Sequence, residues 1–286
     1  MGKLLIPIDF SEYSNTALNY ACELAKDAGH SIDLIHVFSQ HSNSYANVTG
    51  ESPLIDPRVP EAKQNMEDLL NEYRTKFPGL SIEGLFKEGN LYDEIKAVTN
   101  ATAYEAVVMG TQGSSGLEAV FIGSNTYDTI MNTTTPVLAI PDSAKTYKKN
   151  KIALLCNFKE AELTALAQAI PLFKVDYQLI LIHVNASDRA IKDIDADFKN
   201  WINRIESELQ IHDISYIIKP QTLFMGKKES VAQGITSVLI DEQVDILLLT
   251  KSKKSVFRQW TEGNVIKKLA FNIQIPTFFA RVLIAK

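Results

Sequence analysis

Leu4-Leu5-Ile6-Pro7-Ile8-Asp9-Phe10-Ser11 opens the chain, and Ile152-Ala153-Leu154-Leu155-Cys156-Asn157-Phe158-Lys159 answers it near the middle. Both are short apolar runs that stop at a small polar side chain followed by phenylalanine. Leu34-Ile35-His36-Val37 returns as Leu181-Ile182-His183-Val184. Later the offset settles at 140 residues: Val107-Val108-Met109 matches Leu247-Leu248-Leu249, Gly123 matches Gly263, and Pro136 matches Pro276. A single repeat of that length is a tandem duplication, not a solenoid of short units. A chain of 286 residues has room for two domains of ordinary size. The polar, lysine-rich stretch Asp142–Asn150 reads as the link, which predicts domains over residues 1–143 and 149–286.

Strand-like and helix-like patterns alternate within each copy. Residues 3–8 make a strand, and residues 14–27 set Ala17, Leu18, Ala21, Leu24 and Ala25 at helical spacing before Gly29. After a strand over 31–37, Met66, Leu69, Leu70, Tyr73 and Phe77 share one helix face, which Pro78-Gly79 terminates. A strand over 81–87, a helix capped by Asn90, a strand over 105–109, a short helix over 124–131 and a strand over 137–140 complete the copy. The most regular helix of the second copy places Ile191, Ile194, Phe198, Trp201, Ile202, Ile205 and Leu209 at steps of three and four. Short apolar strands alternating with helices build βαβ units. The expected fold is α/β: two tandem doubly wound domains, each a five-stranded, mainly parallel sheet with helices on both faces.

Composition narrows the function classes. A content of 45% hydrophobic and 22% charged residues is a globular balance, which argues against disorder, collagen and coiled coil. No apolar run approaches the ~20 residues of a membrane span. The opening segment lacks the apolar core and cleavage site of a secretory signal. Cys22 and Cys156 are isolated thiols in apolar segments, read as buried side chains of a cytoplasmic protein in preference to metal or redox groups. The net charge of −5 hides a split, −10 over residues 1–145 and +5 over residues 146–286. Neither half has the dense basic face that binds nucleic acid, so neither nucleic acid nor a membrane is expected as partner.

In open parallel sheets ligands gather beyond the carboxyl ends of the strands. Asp9 follows the first strand. The fourth runs into Gly110-Thr111-Gln112-Gly113-Ser114-Ser115-Gly116, after which Gly123-Ser124-Asn125 opens a helix. Gly110 and Gly113 would let the backbone approach a bulky anion and allow positive φ. The helix start offers amides and a hydroxyl to phosphate. The loop is neither a P-loop nor a GxGxxG fingerprint. Asp9 has a second reading, as a cap for the helix that follows. His36 and His183 read as packing residues, since no His/Cys cluster has zinc-like spacing. The polar stretch Ser39–Pro57 reads as a surface insertion in preference to a lid.

The spacing Gly110-x2-Gly113-x9-Gly123-Ser124, with Asp9 ending the first strand and Pro136-Val137 before the last, resembles the universal stress protein family in its tandem two-domain form. The resemblance implies an adenine nucleotide alpha hydrolase-like fold, with ATP as ligand and Mg²⁺ as an accompanying ion. It implies a binding set from the first strand end (Pro7, Ile8, Asp9), the second (Val37), the fourth (Met109, Gly110, Thr111, Gly113) and the helix start (Gly123, Ser124, Asn125). Asp9 would hold the ribose or adenine end, Val37 would line the base, and the glycine loop with Ser124 would wrap the phosphates. It also implies antiparallel pairing of the last strands, Val137–Ile140 and Thr277–Ala280. In a tandem chain that makes an intramolecular pseudo-dimer, and it leaves room for a homodimer.

The second copy departs from the pattern, with Asn157, Thr250 and Lys253 at the positions of Asp9, Gly110 and Gly113. No ATP is expected there by the same mode. Lys251, Lys253, Lys254 and Arg258, with Lys267 and Lys268, read as a solvated basic surface in preference to a second anion site. No catalytic residue or metal ligand emerges, because even Glu118 in the loop does not read as a water-positioning base. The expected function is that of an ATP-binding regulatory protein of the stress response. The alternatives are a slow Mg²⁺-dependent ATPase and a partner-binding pseudo-dimer that needs no nucleotide.

Overall fold

The computed structural model describes residues 1–38, 58–111, 123–185, 189–220, 231–250 and 274–281. The first half runs β1 (Lys3–Pro7), α1 (Glu12–Ala28), β2 (Ser31–Phe38), α2 (Arg58–Lys76), β3 (Ile82–Glu88), α3 (Leu91–Ala101), β4 (Ala106–Gly110), α4 (Ser124–Asn132) and β5 (Val137–Ile140). The second runs β6 (Lys151–Leu155), α5 (Glu160–Phe173), β7 (Gln178–Asn185), α6 (Ile191–Leu209), β8 (Ile214–Pro220), α7 (Val231–Asp241), β9 (Ile246–Thr250) and β10 (Thr277–Ala280). These strands form one sheet in the order β3-β2-β1-β4-β5-β10-β9-β6-β7-β8. Neighbours are parallel except β5 and β10, which run antiparallel with Phe278 opposite Leu138. The expected five-stranded parallel sheets are present, and the last strands pair as the resemblance implies.

Local sequence accounts for the element ends. Ser11 caps α1, its Oγ accepting the Ser14 N–H, and Gly29 closes the helix in the left-handed region at φ 80°. Asn90 caps α3 by accepting from the N–H groups of Tyr92 and Asp93. Gly84 lets α2 lie close on β3, since a Cβ there would stand 2.9 Å from Leu70 Cδ1. In α6, Ile194, Phe198, Trp201 and Ile205 are buried as the spacing predicts, whereas Ile191 in the first turn is 63% exposed.

Helices cover both faces of the sheet, which is why its strands are near-continuous apolar runs. On one face Leu18 of α1, Leu70 of α2, Leu166 of α5 and Phe198 of α6 share a core with Leu138 and Phe278. On the other, Ile95 of α3, Ile130 of α4 and Ile235 of α7 pack with Val107, Ala139 and Leu247. Both cores cross the β5–β10 seam, so the halves are joined by buried apolar surface. Polar groups add to it: His30 Nε2–H donates to the Pro171 carbonyl at 2.8 Å. Lys149 reaches Asp27 at 2.9 Å and Asp176 at 2.6 Å. Among the described residues no helix is long and apolar enough to cross a membrane.

Candidate functional site

β1 leads through α1 to β2 on one side, while β4 lies on the other and leads on to β5. The connections diverge between the carboxyl ends of β1 and β4, and that is the switch point where such sheets bind ligands. Asp9 lies there, two residues past β1 and exposed. Its Oδ1 accepts from the Ser11 N–H at 3.1 Å and the Ser11 hydroxyl at 2.6 Å. The cap of α1 is therefore Ser11, and Asp9 braces it from outside the helix.

The backbone around Asp9 is held in an uncommon shape. Phe10 has φ 62°, a left-handed conformation that costs a bulky residue about 1–2 kcal/mol. Its ring packs on His36 with centroids 4.7 Å apart. His36 Nδ1 lies 2.8 Å from the Ile8 carbonyl, and only a protonated Nδ1 can donate to a carbonyl. So His36 serves packing and backbone order at the strand end. Pro7, Ile8 and Met109 are buried beneath the edge, and Val37 is half-buried at the end of β2.

Beyond β4 the chain is pinched shut at the base of the glycine loop. Thr111 N–H donates to Ile140 at 3.0 Å, Gly123 N–H donates to the Thr111 carbonyl at 2.7 Å, and Thr126 Oγ1 donates to the Gly110 carbonyl at 2.8 Å. Two details of the sequence reading change. Gly110 ends β4 in register with Ile140, so its backbone is extended and not at positive φ. Gly123 is the N-cap of α4 with its N–H committed to Thr111, so the amides α4 can offer begin at Ser124. Ser124 and Asn125 are exposed at that helix start. Gly113, Glu118, the 39–57 stretch and the basic residues Lys251 to Lys268 lie outside the described residues.

The second half keeps the frame and changes the groups. Phe158 repeats the positive φ at 60°, and His183 Nδ1 lies 2.8 Å from the Cys156 carbonyl. Burial lowers the His183 pKa, which favours the neutral ring. Asn157 replaces Asp9, and Glu162 appears where the first half has Ser14, three positions after the N-cap in each helix. Glu162 is 2% exposed and accepts from the N–H groups of Asn157 at 2.7 Å and Lys159 at 3.3 Å. Burial pushes its carboxyl up to about 7, against the pull of those bonds and of the Cys156 thiol. The carboxylate has moved from an exposed strand end to a buried turn. Glu162 reaching back to the N-cap N–H is one half of a capping box, but Lys159 stands where the sequence signature has Ser or Thr, so the pattern does not announce it.

Residues 1–141 match the Universal stress protein family. About half of the chain, 49%, spans 98% of universal stress protein YxiE of Bacillus subtilis, with 27% identity over 145 residues. A universal stress protein of Methanocaldococcus jannaschii is matched over 153 residues at 24% identity, 93% of its length. In fold, the crystal structure of a universal stress protein from Archaeoglobus fulgidus superposes over 98% of both chains, with a TM-score of 0.72 and 19% identity. The class is therefore a doubly wound α/β protein with the family's sheet in each half. The first half of the chain belongs to the universal stress protein family, and the second half repeats its fold.

Proposed function

We propose that the first half binds an adenine nucleotide, ATP, at the β1–β4 switch point, and that the protein acts by binding as a regulator in a stress response. The observation that carries this reading is the contrast between the two strand ends. Asp9 stands exposed and braced at the first crevice, whose other side is the exposed start of α4. In the second half the acid is replaced by Asn157, and the turn is filled by buried Glu162. An exposed carboxylate can take ribose hydroxyls, and helix-start amides at Ser124 and Asn125 suit phosphate. Among the described residues no group of three or more His, Cys, Asp or Glu could hold a metal. Mg²⁺ would reach this site through the phosphates. The buried thiols of Cys22 and Cys156 suit a cytoplasmic setting.

Calorimetric titration of the purified chain with ATP tests the proposal. One equivalent should bind per chain, with a rise in melting temperature that grows with ATP concentration. No heat and no thermal shift would overturn the reading in favour of a pseudo-dimer that acts through its surface alone. ADP that accumulates with Mg²⁺ above a protein-free control would add slow turnover to binding.

A further inference from the structure

We infer that Pro7 is what opens the first crevice, as a positioning residue for the nucleotide site proposed above, on which this inference rests. β1 and β4 stay in register only through Leu4 opposite Ala106 and Leu5 opposite Val107. In the second half β6 and β9 continue one rung further, to Leu154 opposite Leu248. On the other side the halves agree, with Pro7 opposite Ile35 and Leu155 opposite Ile182. The difference is confined to the switch-point side.

One backbone nitrogen accounts for it. Successive N–H groups of a strand between two neighbours point alternately to one and the other. Ile8 N–H donates to Ile35 of β2 at 2.9 Å, so the Pro7 nitrogen faces β4. Cys156 N–H donates to Ile182 of β7 at 2.8 Å, so the Leu155 nitrogen faces β9. Leu155 has the hydrogen that closes the extra rung, and Pro7 has none. Proline is ordinarily excluded from central strands because it breaks a ladder, yet Pro7 sits between β2 and β4 in the middle of the sheet of the first half. The other strand-end devices, Phe10 with His36 and Phe158 with His183, are common to both halves and cannot produce the difference. The β1–β4 ladder thus stops one rung short of the β6–β9 ladder, at the end of the strand that Asp9 follows.

The test is Pro7→Ala, read by amide hydrogen exchange and by ATP titration on the full chain. The new amide at position 7 should be protected like that of Leu155, and ATP affinity should fall by about tenfold while the melting temperature stays near that of the wild type. A ladder bond gained offsets the chain entropy that proline removes. A merely structural proline would give loss of stability without protection at position 7. Free exchange at that amide, or unchanged ATP affinity in the variant, overturns the inference while the function stands. Failure of the wild type itself to bind ATP overturns the function, and the positioning role with it.

Discussion

The backbone N–H of Asn157 donates to Glu162 Oε1 at 2.7 Å, which ties the end of β6 to the first turn of α5 with a carboxylate that is 2% exposed. Burial raises the pKa of Glu162 from 4.5 to about 7 in the fold. A carboxyl whose folded pKa is raised binds its proton more tightly folded than unfolded. Its contribution to stability is therefore full below the unfolded value and is lost as pH rises through about 7. The ionised form costs on the order of 3 kcal/mol at the alkaline end, by the conversion of pKa shift to free energy. Glu162→Gln cannot ionise, so its stability relative to wild type should climb by roughly that amount between about pH 4 and pH 8. Urea denaturation across the range measures it, and a flat difference would show that the site is wetter than its burial implies.

Asp9→Ala separates ligand contact from helix capping. Ser11 remains to cap α1 through the Ser14 N–H at 3.2 Å. The variant should lose less than about 1 kcal/mol of stability, because the brace it removes is exposed. ATP affinity should fall at least tenfold, since hydrogen bonds to a charged acceptor contribute about 1.5–3 kcal/mol. Calorimetry and thermal melts on the same samples give both numbers. A stability loss of several kcal/mol with affinity retained would make Asp9 a structural brace alone.

Much of the architecture was legible because duplication doubles every signal. The matched strands follow from apolar periodicity and the repeat, and the Asn90 cap from its side chain, while the pairing of residues 137–140 with 277–280 comes from the family resemblance. What the sequence hid depends on neighbours far away in the chain. Nothing near Lys149 announces that it will meet Asp27, some 120 residues earlier. Glu162 reads locally as an acid in the first turn of a helix, and its burial to 2% exposure is visible only in the fold. Pro7 reads as a residue near a possible ligand. That its nitrogen faces β4 becomes visible only once strand order and register are known.

The Asp27 cluster beside the seam makes a salt-dependent prediction. Burial alone would raise the Asp27 pKa, but hydrogen bonds and charge from Lys149 and Lys174 overrule it and hold the carboxyl below its usual value. A depressed carboxyl stabilises the fold above the unfolded pKa of about 4, and that contribution fades as pH falls through the lowered value. Asp27→Asn should cost about 1–2 kcal/mol near neutral pH, since Lys149 is only 13% exposed and would lose its anchor on α1. The loss should shrink at 0.5 M salt relative to 0.05 M, and again towards about pH 3, because screening and protonation both weaken the pair. Equal losses under all conditions would point to packing instead of charge.

Phe278 tests whether the halves stand or fall together. It is fully buried in β10, lies opposite Leu138 of β5 across the seam, and meets Phe173 edge-on with ring centroids 6.0 Å apart. Phe278→Ala leaves a cavity between halves, and such truncations cost about 3–5 kcal/mol. Because the core is continuous through Leu138 and Phe278, the loss should be shared by both sides of the seam. Amide hydrogen exchange should speed up together in β5 and β10, and thermal unfolding should remain one transition at a lower temperature. Faster exchange in β10 with β5 unchanged would mean that the first half keeps its own stability, and that the antiparallel seam is a contact between two independent units.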